Sequence, residues 1–126
     1  MAQNIVMFNS RDELLRLDIS KIVYFEGDGN YTNIMTVNKL KGTVCMNLSH
    51  TEIFLASELG TDAGFFIRLG KRFIINTNYI YQINIQKQHL ILSDYDHFAF
   101  KIGVSKEALK KLKDLMLRNL KIKGER

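Results

Sequence analysis

The sequence predicts a mainly β, α+β fold: elongated antiparallel sheets with a short middle helix and a C-terminal helix. Short apolar runs with alternating side chains, such as 97–104 (HFAFKIGV), recur between turns rich in glycine and asparagine. Two segments instead carry apolar residues at helical spacing, one mid-chain and one at the end. A length of 126 residues with 46% hydrophobic content suits a single domain with its own core.

The strands are predicted in chain order. Residues 21–26 (KIVYFE) are apolar on both faces, which indicates a central strand, and GDGN at 27–30 follows as a turn. Strands are next expected at 31–39 and 43–48, around a turn near Gly42. The remaining strands are expected at 79–86, 89–92 and 97–104. In the first of these, the alternation predicts a common face for Tyr79, Tyr81, Ile83 and Ile85.

Two helices are predicted. The sequence at 49–52 (SHTE) is a capping-box pattern that predicts Ser49 as the N-cap, and Gly60 ends this helix. Ser105 is the expected N-cap of the second helix. Its apolar stripe consists of Leu109, Leu112, Met116 and Leu120.

The expected organisation is a lead-in with the first strand or strands at 1–17, one domain at 18–120 and a disordered tail at 121–126. No apolar run approaches the roughly 20 residues that span a bilayer, and no secretory signal is visible. Cys45 is the single cysteine, and its place within TVCMN predicts a structural thiol in the middle of a strand. These features favour a cytoplasmic protein without a membrane partner.

The segment 65–80 (FFIRLGKRFIINTNYI) places three cations at a bend between two apolar blocks. Arg68, Lys71 and Arg72 surround Gly70. Residues 63–93 contain no Asp or Glu, and residues 101–126 hold nine Lys or Arg against three Asp or Glu. Cations on an anchored bend suit a phosphate backbone. A focused basic surface fits nucleic acid or an acidic membrane, and nucleic acid is the expected partner of the two. A strand, a turn and a strand with ordinary solvated charges fit the same pattern.

Catalytic and metal-binding patterns are weak. His50, His89 and His97 do not stand at metal-ligand spacing with one another or with Cys45. The Gly27-Asp28-Gly29 sequence lacks the continuation of a phosphate-binding loop. The sequence therefore predicts no enzyme and no cofactor.

Three motifs in order resemble the LytTR DNA-binding domain. DISKIVYFEGDGNYTNI resembles the opening of that domain, FFIRLGKRFIINTNYIYQI its central signature, and VSKEALKKLK its closing segment and last helix. The resemblance spans residues 18–117, nearly the whole chain. It implies an elongated β fold that inserts loops, rather than a recognition helix, into successive major grooves of bacterial promoter DNA.

The resemblance also implies roles for individual residues. Base-reading positions fall on Thr32, Lys71 and Glu107. Phosphate-binding positions fall on Asn33, Arg68, Arg72, Ser105, Lys106 and Lys110. Two positions depart from the family pattern: Gly70 stands where a histidine is frequent, and Glu107 where a basic residue is expected.

The leading hypothesis is a sequence-specific transcriptional regulator that binds double-stranded DNA at a direct-repeat promoter site as a homodimer. The first alternative is a protein-interaction module that antagonises a full-length regulator of the same family. An RNA-binding module, with Tyr31 and Phe73 stacking on bases, is the second. Most family members carry a receiver domain upstream, so the chain is expected to be either a stand-alone regulator or a fragment of a larger one.

Overall fold

The computed structural model describes residues 4–124, with side chains described from 4 to 118. Three antiparallel sheets and two α-helices make up this part of the chain, which confirms the predicted fold class. The helices are α1 (Leu48–Leu59) and α2 (Lys106–Gly124). Within the described residues, neither helix has the length and apolarity required to traverse a bilayer.

The ten strands form a hairpin, a five-stranded sheet and a three-stranded sheet. The hairpin pairs β1 (Ile5–Asn9) with β2 (Leu14–Asp18). The five-stranded sheet contains β3 (Ile22–Asp28), β4 (Tyr31–Thr36), β5 (Lys41–Val44), β6 (Phe66–Leu69) and β7 (Phe73–Asn76), in the spatial order β5-β4-β3-β7-β6. The three-stranded sheet contains β8 (Ile80–Asn84), β9 (His89–Ser93) and β10 (Ala99–Gly103), in the order β10-β9-β8.

The central strand β3 is apolar on both faces because each face of the sheet packs against its own core. Val23 and Tyr24 belong to a cluster shared with β8–β10 and α2, whereas Ile22 and Phe25 belong to a cluster shared with α1 and the β1–β2 hairpin. A β-bulge between Ile22 and Tyr24 interrupts the alternation of side chains and lets neighbouring residues face the same core. The predicted central position of this strand is confirmed.

Helix α1 begins two residues earlier than the capping box predicted. Asn47, not Ser49, is the N-cap: its side-chain oxygen accepts a hydrogen bond from the backbone N–H of His50 at 2.8 Å. Leu48 is thereby placed in the core as the first helical residue. Gly60 ends the helix at φ +57°, as the sequence predicted.

Two details of the predicted strands are wrong. The β4–β5 turn lies at 37–40, not near Gly42, which is paired with Ile34 inside β5. A Cβ at Gly42 would lie 2.6 Å from Leu15 Cδ2, so this glycine permits close packing instead of a turn. Tyr81 does not share the apolar face of β8: a bulge between Ile80 and Gln82 turns its side chain outward, where it is 54% exposed.

Cys45 is also placed differently from the prediction. It lies in the bend that follows β5, and its side chain is exposed. It is therefore not a buried strand thiol.

Helix α2 begins as predicted. The Oγ of Ser105 accepts a hydrogen bond from the backbone N–H of Ala108 at 3.2 Å, and Leu109 and Leu112 are buried below the first turns. The helix backbone runs to Gly124. The side chain of Leu120 and those of the expected tail at 121–126 lie outside the described part of the chain.

Candidate nucleic-acid interface

Four segments meet at one end of the five-stranded sheet, which we name the basic end. They are the 28–31 turn, the start of α1 at 47–49, the 70–72 turn and residues 103–107, which connect β10 to the first turn of α2. The backbone N–H of Gly27, in β3 just before the 28–31 turn, donates to the carbonyl of Arg72 at 2.8 Å and so ties the end of β3 to the 70–72 turn. A cleft of about 340 Å³ lies between the first three segments, and one of about 750 Å³ separates the 70–72 turn from α2. Arg68, Lys71 and Arg72 line both clefts.

Gly70 opens the 70–72 turn with φ at +64°. This left-handed conformation is one that residues other than glycine adopt at a cost. A Cβ at this position would lie 3.8 Å from the Cβ of Ala108, so the turn packs beside the first turn of α2. The local backbone thus explains a glycine here.

The guanidinium of Arg68 is bound within the protein. Its Nε donates to the carbonyl of Gly70 at 3.1 Å, and its Nη2 donates to the carbonyl of Lys71 at 3.2 Å. Its Nη1 donates to the carboxylate of Glu52 on α1 at 3.0 Å and lies 3.5 Å from the Oγ of Ser49. Arg68 is only 27% exposed, and it joins the 70–72 turn to α1.

The two cations of the 70–72 turn differ from Arg68, which lies in β6. Arg72 forms an ion pair with Glu26, and its guanidinium lies 5.5 Å from the ring centre of Phe73, yet its side chain is 67% exposed. Lys71 is exposed and takes part in no ion pair among the described residues. Its ammonium is therefore available to a ligand at the tip of the turn.

Burial and charge next to this turn also act on a tyrosine. Tyr24 packs edge-on against Phe73 with ring centres 6.0 Å apart. Its pKa is raised above the ordinary value by burial and by the nearby carboxylate of Glu26, while the charge of Arg72 acts in the opposite direction. Tyr24 is therefore a neutral part of the wall behind the cations at neutral pH.

Comparison with known proteins assigns the chain to a family. A family model described as the LytTr DNA-binding domain matches residues 12–117. The chain belongs to the LytTR DNA-binding family. A solved structure with the same fold is the LytTr DNA-binding domain of a Bacillus cereus protein described as a methyl-accepting/DNA response regulator. Its TM-score is 0.63 at 23% identity, covering 91% of this chain and 98% of that chain. No curated protein matches.

One base-reading position implied by the LytTR resemblance is contradicted by the structure. Thr32 is 0% exposed, and its hydroxyl donates to the carbonyl of Met46 at 2.7 Å. The hydroxyl of Thr51 lies 3.1 Å from it. Thr32 shares the inward face of β4 with Ile34, an alternation that is visible in the sequence. A fully buried and hydrogen-bonded hydroxyl cannot read a base edge.

The exposed residues at the tip of the β3–β4 hairpin precede Thr32. The turn proper is Gly29-Asn30, and Tyr31 is 50% exposed beside it. Asn33 is half-buried within β4, and its Oδ1 accepts a hydrogen bond from the hydroxyl of Thr43 at 2.8 Å. Asn33 thus belongs to the strand and not to the tip of the turn.

Helix α2 of this LytTR domain presents more charges to the larger cleft than the motif alone indicated. Ser105 and Glu107 line the larger cleft, and so do Lys111 and Arg118, which the sequence reasoning missed. Lys106 and Lys110 are exposed but are not among the residues that line it. The helical spacing of Glu107, Lys111 and Arg118 is the signal that could have placed them on one face.

Two carboxylates of this LytTR domain were also not anticipated from the sequence. Glu26 and Glu52 pair with Arg72 and Arg68, which reduces the net positive charge of the basic end. Both pairs join strands or helices far apart in the chain, so no local sequence pattern reveals them. Within the described residues, no three His, Cys, Asp or Glu side chains come together as a metal site requires.

Proposed function

We propose that this chain is a sequence-specific transcriptional regulator that binds double-stranded DNA through its basic end. The observation that carries the proposal is the ammonium of Lys71 at the tip of an anchored hairpin, which is exposed and forms no ion pair with any described residue, in a chain that belongs to a DNA-binding family. A cation in a fixed position can contact one particular base pair, whereas a mobile cation supplies only non-specific attraction to the phosphate backbone.

The β6–β7 hairpin has a suitable shape for direct readout. The major groove of B-DNA is about 12 Å wide and admits a two-stranded β-ribbon. With the 70–72 turn in that groove, Lys71 meets base edges, and a guanine with its two acceptors is the preferred contact of a lysine. Arg72, although paired with Glu26, is exposed enough to contact a flanking phosphate.

The neighbouring segments supply further contacts in this proposal. The start of α2 offers free backbone N–H groups and the hydroxyl of Ser105 to a phosphate, with Lys106 and Lys110 on the exposed surface nearby. Glu107 lies in the cleft, where it opposes phosphate and can accept a hydrogen bond from a cytosine amine. The 28–31 turn would approach the DNA from the other side of Lys71.

The test is selection of binding sites from random double-stranded DNA by the purified chain. The expected result is an enriched motif whose affinity falls linearly in log K against log salt, because bound phosphates release counterions. A direct repeat within the motif would support binding as a homodimer. Absence of any enriched sequence, with binding to all fragments alike, would refute the proposal.

The role of Lys71 is tested on the selected motif. Lys71→Ala is expected to remove the preference at one base pair, worth about 1–3 kcal/mol of discrimination. The matched control is Lys41→Ala, because Lys41 is also exposed and forms no ion pair among the described residues. Lys41 lies next to the 37–40 turn, at the end of β5 that is away from the basic end. An unchanged preference in Lys71→Ala would mean that another residue reads the base.

A protein-interaction module is the second candidate function. It is favoured by the carboxylates of Glu26, Glu52 and Glu107, which weaken the positive field at the basic end. Such a module would bind a full-length regulator of the same family. The selection experiment distinguishes the two functions, since the module would enrich no DNA sequence but would reduce DNA binding by the regulator.

A further inference from the structure

Arg68 holds both peptide groups that flank the Cα of Lys71. One of these groups ends in the carbonyl of Gly70 and the other in the carbonyl of Lys71, and the guanidinium donates to both, at 3.1 and 3.2 Å. Fixing the two peptide planes on either side of a residue fixes its φ and ψ, and therefore the direction of its Cα–Cβ bond. The side chain that is aimed in this way is that of Lys71.

The same guanidinium is anchored at its other edge. Nη1 donates to Glu52 at 3.0 Å and lies near Ser49, so the first turns of α1 hold the guanidinium in place. Helix α1 is itself set in the core by Leu48, Leu55 and Leu59. Contacts with a helix of the core, and not only with its own two strands, therefore hold the turn in position.

These contacts leave Arg68 poorly suited to bind phosphate. A guanidinium has five N–H donors, and the described contacts of Arg68 occupy most of them within the protein. Its charge is offset by the carboxylate of Glu52. A phosphate would have to displace one of these partners.

We infer that Arg68 is a positioning residue for Lys71, and that Glu52 on α1 is the anchor of this clamp. The expected consequence is that this clamp, without contacting DNA, determines how well Lys71 discriminates between bases. This consequence rests on the proposed function. Lysine cannot replace Arg68 here, because one ammonium cannot bridge two carbonyls and a carboxylate in the planar arrangement of a guanidinium.

The first experiment uses the free protein and does not depend on DNA binding. Backbone order parameters of the Gly70 and Lys71 amides are measured by NMR relaxation in wild type, Arg68→Lys, Glu52→Ala and Glu58→Ala. Glu58→Ala is the matched control, because it also removes an exposed carboxylate from α1, and Glu58 has no ion pair among the described residues. We expect values near 0.85, typical of rigid backbone, in wild type and control, and values falling toward 0.6 in the other two variants.

The second experiment measures affinity for the selected motif and for the same motif altered at the base pair that Lys71 reads. In Arg68→Lys and Glu52→Ala, we expect the ratio of the two affinities to fall by about tenfold, with the salt slope unchanged. A phosphate-binding Arg68 predicts otherwise. Arg68→Lys would then keep the ratio, Arg68→Gln would reduce the salt slope by about 1, and Glu52→Ala would tighten binding to both DNAs alike.

The outcomes separate the two proposals. Unchanged order parameters in Arg68→Lys and Glu52→Ala would overturn the clamp even if DNA binding is specific. Lower order parameters with an unchanged affinity ratio would overturn its role in discrimination. Failure of the wild type to prefer any DNA sequence would instead refute the proposed function, while the NMR result would still decide whether Arg68 fixes the turn.

Discussion

Replacement of Thr32 by valine separates a structural role from a DNA-reading role at a position that the family pattern assigned to DNA. The Thr32 hydroxyl donates to the carbonyl of Met46 at 2.7 Å and lies 3.1 Å from the hydroxyl of Thr51. Valine has nearly the shape of threonine, so the substitution leaves no cavity. The loss is therefore confined to the hydrogen bonds of one hydroxyl.

The magnitude follows from which groups lose their partners. The hydroxyl of Thr51 keeps an acceptor, the carbonyl of Asn47 at 3.0 Å, whereas the carbonyl of Met46 loses its donor from Thr32. The Met46 carbonyl is part-buried, and leaving such an acceptor without its donor costs about 1–3 kcal/mol of unfolding free energy. For a domain of this size, this corresponds to a melting temperature lower by about 4–12 °C.

The assay combines thermal unfolding with affinity for the selected DNA motif and for its single-base variants. The control is Thr61→Val, because Thr61 is exposed and its hydroxyl forms no hydrogen bond with another described residue, so substitution there is expected to change stability by less than about 0.5 kcal/mol. We expect Thr32→Val to melt well below this control and to retain base preference. A variant as stable as the control that loses preference at one base pair would refute the assignment of Thr32 to the core.

Three further predictions concern local geometry. Gly70→His is expected to lower the unfolding free energy by about 1 kcal/mol in denaturant titration, because φ is +64°, while the 3.8 Å distance from a Cβ to Ala108 avoids a clash; equal stability would show that the turn adopts another conformation. Desolvation acts to raise the pKa of Asp94, but hydrogen bonds from the His97 backbone and ring and from two further backbone N–H groups hold it well below its usual range. At pH values above its usual pKa, the carboxylate therefore stabilises the fold, and this stabilisation is lost as the pH falls. The difference in urea midpoint between wild type and Asp94→Asn should accordingly narrow from pH 7 to pH 3. A difference that stays constant would contradict this. Cys45 is expected to react with a thiol reagent in the folded protein at the rate of an exposed thiol, and protection until unfolding would place it in the core.

The alternation of apolar residues predicted the strands well where the pairing is regular. Phe98, Ile102 and Val104 are all buried along one face, as their spacing indicated. The prediction failed at Tyr81, because a bulge in β8 depends on pairing with β9 and reverses the outward and inward directions. Register is a property of two strands, so one strand's sequence does not determine it.

The motif predicted the basic turn but not the roles of its residues. Lys71 and Arg72 lie in the turn between two apolar strands, as predicted, whereas Arg68 lies within β6; all three line the clefts of the basic end. Their chemical availability differs because of Glu52 and Glu26, which come from a helix and a strand distant in sequence. Lys111 and Arg118 on α2 are likewise distant in sequence from the 70–72 turn, which explains why they were not recognised beside it.

The sequence by itself determined the fold class, the central strand, the cap of α2, the family and the location of the basic turn. These depend on local spacing, on residue type and on motif order, which are all present in the linear chain. Only the tertiary structure decided that Thr32 is internal, that Arg68 is bound within the protein and that Lys71 is exposed and unpaired among the described residues. Burial and pairing depend on which elements pack together, and two residues of the same charge at the same bend can therefore have different functions.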